Sequence, residues 1–430
     1  MKLTLQKASP SPKPPSSGAL QIPPQPGTIP PETKFRVGIH RPQRLVPRIH
    51  TPLSITGLGA LSAAGESMAA HRAAIAPGRT AFRPLADLLG NDGPHAALHA
   101  AWIARRELLC SRKWSPASMA ALHVARQAVA EAGWSTAELQ DAVVFLGTSR
   151  GTAAGWIDPW PQRRAFPLMA ASNSLHSEPA AAVSIELGIR GPWQVQASGC
   201  AAGLDALGMA ALWLGAGLAQ RALVVAVDLP LSPSLLDSYA ATGILSKNNR
   251  NDPYSPESSG ILPAEASAAL TLEHHPHTGA PLFRGYLANA DAADAIGMPP
   301  GAPGLVALLD SAREKFGPPA ALCPHASGTA SHAVLEPAAI LRALGPGTRI
   351  CPLKPWTGHG IGGGGLLETV LLAAFLRECQ APPTLAGLTC PAGLDMTPGN
   401  LPPSATLFKL ASALGGKNSL IALQAPPPPP

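Results

Sequence analysis

The 430-residue chain is 46% hydrophobic and only 13% charged, enough apolar material for a substantial core in one large domain or two moderate ones. Its formal charge of +6 is uneven: residues 1–50 hold eight Lys/Arg against one Glu, and the remaining 380 residues hold 24 basic and 25 acidic side chains. The body is therefore nearly neutral, which argues against nucleic-acid binding by it.

Taken in chain order, residues 1–50 are Pro-rich ("SPKPPSSGALQIPPQPGTIPPE") and lack any helical or strand period, so a disordered or loosely packed basic extension is expected. Met1–Lys2 is not followed by an apolar segment of the signal-peptide kind. Order begins at "PLSITGLGALSAAGES", with a short strand over Leu53–Gly57 running into a Gly-rich turn. "ESMAAHRAAIAPG" and "SMAALHVARQAVAEAGW" read as helices, the first ended by Pro77–Gly78 and the second stopped by a glycine. "AVVFLGTS" and "RALVVAVDLP" read as buried strands. Continuously apolar strands alternating with helices predict an α/β fold, with a parallel sheet covered on both faces. The apolar runs near 200–227 and 361–376 are Gly-rich and broken, and are expected to be buried rather than membrane-spanning. The chain ends in "APPPPP", which cannot extend a central strand.

Six cysteines (110, 200, 323, 351, 379 and 390) show neither metal-ligand spacing nor a short disulfide framework, which suggests a reducing, cytoplasmic setting. Cys200 stands apart. In "ASGCAAGLDALGMAALWLG" it sits between small residues at the start of a long apolar helix, where a thiolate is favoured and unpaired N–H groups can bind an oxyanion. The competing reading is a small buried hydrophobe. A second stretch, "ICPLKPWTGHGIGGGGLLETVLLAAFLREC", repeats this plan from a probable strand through a turn into a buried helix, with Lys354 and His359 at the turn. Its four successive glycines cost roughly 1 kcal/mol each against alanine, so some group must approach that backbone closely. A third stretch, "CPHASGTASHAVLEPAAI", offers His325, Ser327, Thr329 and His332 between a strand end and a helix start, where Ser and Thr are also ordinary caps.

Together these stretches resemble the β-ketoacyl-ACP synthases of the elongating (KAS I and II) type, in the thiolase superfamily, over about residues 51–423. "LSITGLGALSAAGES" is similar to the family's opening strand and turn, and "SIELGIRGPWQVQASGCAAG" to its approach to the nucleophile. "KPWTGHGIGGGG" is similar to its Lys-x-x-x-Gly-His-x-x-Gly motif. The resemblance implies a thiolase fold of two similar halves, 51–285 carrying the nucleophile and 286–425 carrying the His/Lys motifs, with central mixed sheets and buried helices between. It implies that Cys200 accepts the acyl group and that His359 binds the extender's thioester carbonyl during decarboxylation. Lys354 would hold the hydrogen-bond network, and Glu265, in Ala264-Glu265-Ala266 where the family has Gly-Glu-Gly, would be the buried structural acid near it.

Two departures stand out. Aligning Gly328-Thr329 on the family's His-Gly-Thr puts Ser327 at the first histidine's position, and His325 two residues earlier can substitute only if the loop bends. In "SALGGKN" Ser412 stands at the position of the gating phenylalanine and Leu414 replaces an aromatic, while Gly415, Gly416 and Asn418 are retained. Thr329, Ser412, Leu414, Gly415 and Gly416 would line the substrate site. The expected activity is decarboxylative Claisen condensation in fatty-acid or polyketide synthesis, with an acyl carrier protein as partner, no metal or other cofactor, and a homodimer or a heterodimer with another synthase subunit. The alternatives are a homologue that loads acyl groups but condenses poorly, and a non-catalytic subunit resembling a chain-length factor.

Overall fold

The computed structural model describes residues 52–75, 78–157 and 176–427. The expectation for residues 1–50 lies outside them. The elements that position the site are, in order, β1 (Leu53–Ser62), α1 (Pro116–Ala132), β2 (Val143–Gly147), α2 (Glu178–Leu187), β3 (Trp193–Gln196) and α3 (Ala202–Gly215). There follow β4 (Arg221–Asp228), α4 (Pro233–Ala241), β5 (Ala266–Glu273), β6 (Leu282–Ala290), α5 (Pro303–Phe316) and β7 (Ala321–Cys323). The last are α6 (Ala330–Leu344), α7 (Ile361–Leu376), β8 (Thr406–Ala413) and β9 (Lys417–Gln424).

Local sequence explains the element boundaries. The Ser115 side chain accepts from Ser118 N, Pro116 opens α1, and Gly133 closes it at φ 67°, a left-handed conformation that glycine adopts without strain. In α7 all sixteen residues are buried, so it has no polar face to turn toward water.

Nine strands form one mixed sheet in the order β3-β2-β4-β5-β1-β6-β9-β8-β7. This corrects two expectations. The sheet is not parallel: β2 runs parallel to β3 and β4, and β7 to β8, whereas the other neighbouring pairs are antiparallel. Strands buried on both faces read as continuous apolar runs whatever their direction, so the pattern did not carry the orientation. Nor are there two separate sheets, since β1 pairs with β6 over Leu53–Phe283 and Ser54–Leu282 and joins the two parts. Residue 285 lies within β6.

α3 and α7 pack on each other and against strands of both parts, within one hydrophobic cluster that includes Leu204, Leu207, Leu366, Val370 and Leu371. α1 and α2 cover the opposite face of the first part, through a second cluster containing Val124, Leu146, Val183 and Val225. α5 and α6 pack together beside β9. Among the described residues no helix is long and apolar enough to cross a membrane.

β1 does not stop at Gly57 but runs on to Ser62. Its glycines serve close packing rather than a turn: a Cβ on Gly57 would lie 1.9 Å from the Ala128 carbonyl oxygen of α1, and one on Gly59 would lie 2.2 Å from that of Val124. Gly57→Ala should therefore force α1 away from the sheet and cost about 1–3 kcal/mol. Urea unfolding checks this, with a lower midpoint at unchanged slope expected.

Candidate active site

Cys200 lies in a single 3-10 turn, Gly199–Ala201, immediately ahead of α3, and Gly199 holds φ 60° to make that entry. β3 leads directly to this turn, so the sheet aims the thiol at a cavity of about 550 Å³. His325, His359, Ser327 and Thr329 line the same cavity. So do Ser412, Leu414 and Gly416 from the hairpin between β8 and β9, together with Asn418. Gly415 does not line it; its N–H donates to Ala295 O at 2.8 Å, and its φ of 83° makes the hairpin turn. Ser412 Oγ donates to Asn418 Oδ1 at 2.8 Å, so this hydroxyl is held by the hairpin itself.

The third motif departs from the residue-by-residue alignment. The loop bends at Ala326 (φ 47°) and Gly328 (φ 81°). Glu336 of α6 enforces the bend by accepting from His325 N at 2.6 Å and from Ala326 N at 2.9 Å. The His325 ring then lies 5.4 Å from that of His359, nearly perpendicular to it. The imidazole facing His359 is thus that of His325, and Ser327 lies further along the loop, on the same cavity, where its hydroxyl meets Thr329 Oγ1 at 3.1 Å. His332 adds a third imidazole, 5.2 Å from the His325 ring.

The protonation states follow from burial. Desolvation first, and the Lys354 charge second, hold both His325 and His359 well below the ordinary imidazole pKa, so both are neutral near pH 7. His359 Nδ1 accepts from Ile361 N at 3.2 Å, which leaves the proton on Nε2 as a donor. Cys200 departs from its expectation. Burial outweighs the helix start and pushes the thiol up to about 11, against the pull of Lys354 and Arg150.

Lys354 stands behind the histidines rather than in the cavity. Its Nζ donates to Glu368 Oε1 at 2.9 Å. The other Glu368 oxygen meets Lys409 of β8, a lysine with no exposed surface. Lys409 Nζ also donates to Leu410 O at 2.8 Å and Pro324 O at 3.2 Å, next to His325. The acid of this network is therefore Glu368, not Glu265. Glu265 is buried beside the same turn, since Ala264 N donates to His359 O at 3.0 Å, but its carboxylate faces away from Lys354, pairing with Arg106 and accepting from Ile103 N at 3.1 Å. The sequence carried a signal for the missed residues: Glu336 and Glu368 are lone acids inside apolar helical runs, and Lys409 is a lone cation inside an apolar strand. Another buried acid, Asp228 at the end of β4, accepts from Thr148 Oγ1, Ser149 N, Arg150 N and Gly362 N at 2.7–3.0 Å. That contact accounts for the first of the four glycines, since a Cβ on Gly362 would lie 2.5 Å from Asp228 Oδ2.

Two outcomes follow. Glu368→Gln leaves two buried ammonium groups without a counter-charge and should cost about 3–5 kcal/mol, read by denaturant unfolding. Alkylation of Cys200 by iodoacetamide should rise with pH up to about 11, because the thiolate is the reacting form; a rate already level at pH 8, followed by peptide mapping, contradicts this.

Comparison with known proteins agrees with the geometry. The model for the beta-ketoacyl synthase N-terminal domain matches residues 51–277, and that for the C-terminal domain matches residues 282–387. The chain is similar to nodulation protein E of Rhizobium leguminosarum bv. trifolii, 29% identical over 86% of this chain and 98% of that one. It is also similar to the tetracenomycin polyketide synthase ketoacyl synthase alpha subunit of Streptomyces glaucescens, 28% identical over 77% and 86% of the two chains. A solved complex of a type II PKS acyl-carrier protein with its ketosynthase shares the fold, with TM-score 0.72, 24% identity and coverage of 87% of this chain and 99% of that one. The chain belongs to the beta-ketoacyl synthase family, and it has the thiolase fold.

Proposed function

We propose that this chain is a condensing acyltransferase in which Cys200, His325 and His359 are the catalytic residues. The observation that carries the reading is their convergence on one cavity, with the two imidazoles 5.4 Å apart beside the thiol. Cys200 sulfur attacks an acyl thioester, the carrier thiolate leaves, and the cysteine proton passes to it. A neutral imidazole with one unprotonated ring nitrogen free can relay that proton, which in this site suits His325, whose Nδ1 has no protein partner among the described residues, rather than His359, whose Nδ1 is taken by Ile361 N. The extender's thioester carbonyl then accepts hydrogen bonds from the two histidines. Its carboxylate leaves as carbon dioxide, and the enolate carbon attacks the acyl carbonyl on Cys200. The tetrahedral adduct collapses to the β-ketoacyl thioester and frees the cysteine sulfur.

Two neutral donors facing one carbonyl oxygen is the arrangement that stabilises developing enolate charge. Lys354, Glu368 and Lys409 are positioning residues in this reading, holding the turn before His359 and the carbonyl before His325. Thr329, Ser412, Leu414 and Gly416 would contact the acyl or carrier arm. We further propose that acyl groups and extender arrive on an acyl carrier protein, as in the complex described above. Assembly with a second synthase chain is proposed too, since β3 is an edge strand with Trp193 39% exposed and Ile185 of α2 is 60% exposed. Six free thiols among the described residues suit a reducing, cytoplasmic setting.

His325→Ala and His359→Ala should each lower condensation on the order of 10²–10³-fold while still loading an acyl group on Cys200. Ser327→Ala should change condensation by less than about tenfold. Intact-protein mass spectrometry with acyl-carrier and malonyl-carrier substrates separates loading from condensation. Equal losses of both steps in folded His325→Ala would overturn the assignment, and absence of any acyl-Cys200 would overturn the function.

A further inference from the structure

The cavity that holds Cys200 carries a fixed cation. Arg150, in the turn after β2, is half-buried and lines the cavity beside Ser149 and Tyr239. Its backbone is pinned by the Asp228 hydrogen bond, and its Nε–H donates to Tyr239 Oη at 3.1 Å. Among the described residues its terminal guanidinium nitrogens have no carboxylate partner. The one acid behind the turn, Asp228, has its oxygens occupied by the four donors named above. Tyr239 is a second donor. Burial pushes its phenol up to about 12, so it keeps its proton, and because Oη accepts from Arg150 that proton points away from the arginine. Lys247, exposed at the rim, adds a second positive charge, and Asp291 is the single acid that lines the cavity. Asp291 is held toward the hairpin by Asn418 Nδ2 at 3.3 Å. An acyl chain of hydrocarbon alone would cover the guanidinium, which stacks 5.3 Å over the Tyr239 ring, without bringing it an acceptor beyond those of the described residues, whereas a carboxylate accepts from it and from the phenol together.

We propose that Arg150 and Tyr239 form an anion subsite, and that the acyl group taken up by Cys200 carries a carboxylate. This rests on the acyl-transfer reading of Cys200, and it names the substrate class. The carboxylate of a malonyl-type extender shares this chemistry, so the test separates loading from condensation.

Two measurements decide it. The first compares alkylation of Cys200 by iodoacetate and by iodoacetamide, with exposed Cys110 and Cys390 of the same molecule as internal references. The anionic reagent should be favoured at Cys200 by about tenfold over the references, as one charge-assisted contact allows. Arg150→Met should abolish that preference and Arg150→Lys should keep part of it. The second compares loading of glutaryl and pentanoyl thioesters by mass spectrometry, with glutaryl preferred in the wild type and the ratio falling in Arg150→Met and Tyr239→Phe. An unselective Cys200 in the alkylation, or a ratio unmoved by Arg150→Met, overturns the subsite. A preference seen in condensation but not in loading assigns it to the extender and overturns the acyl-group proposal. If no thioester loads at all, the acyl-transfer reading fails, and the alkylation ratio alone still decides whether the anion subsite exists.

Discussion

One buried carboxylate organises the chemical centre. Glu368 lies inside α7 with no exposed surface, and it meets Lys354 on one side and Lys409 on the other. Those three residues come from a helix, the turn before His359 and a strand of the sheet. A charge taken out of water is tolerated when its partners are close and well oriented, and the same cost makes the arrangement rigid. Lys409 extends the constraint by donating to Pro324 O, so the chain entering His325 is tied to the same carboxylate. Two histidines distant in sequence, 325 and 359, are thereby held against one cluster.

The electrostatics of the cavity follow from burial and from that cluster. Burial, above all, and the positive charge of Lys354 behind the imidazoles hold both rings neutral. Neutral rings can donate to a carbonyl and also pass a proton, which protonated ones could not do in both directions. The thiol is treated differently by the same surroundings. Burial raises it, and the positive charges of Lys354 and Arg150 recover only part of the difference. Cys200 thus rests as a thiol, and in the proposed reaction its deprotonation belongs to the attack itself.

Backbone contacts are the second organising device. Asp228 binds the turn after β2 and the N-terminus of α7 with one carboxylate, and Gly362 leaves the room for it. Gly363 lets α7 touch β5, where a Cβ would lie 2.5 Å from Ala266 O. Gly362 and Gly363 therefore reflect contact of the helix with an acid and a strand, Gly365 faces Leu204 of α3, and Gly364 meets nothing within 4 Å. The entropic cost of the glycine run is offset by burying α7 on every side.

Much of this protein is legible in its sequence because burial leaves a mark on residue type. Apolar runs, glycine stops and capping serines locate the helices and strands, and the Gly-flanked Cys200 and His359 mark the ends of two buried helices. Strand direction is not legible, because residues with both faces covered look the same whichever way they run. Neither is the extent of β1, whose glycines read as a turn and are contacts with α1. The choice between Ser327 and His325, left open by the sequence, is hard to read from it for a related reason. It rested on a two-residue match, Gly328-Thr329, while the position of the ring depends on a bend imposed by Glu336 from the following helix. Glu265 and Glu368 are both acids in apolar surroundings, and only the fold decides that the second faces Lys354 while the first faces Arg106. Residue type alone specifies which groups are available and that they would be buried. Which of them meet was decided by tertiary structure, since a hydrogen bond across three elements depends on how those elements pack and leaves no spacing in the chain.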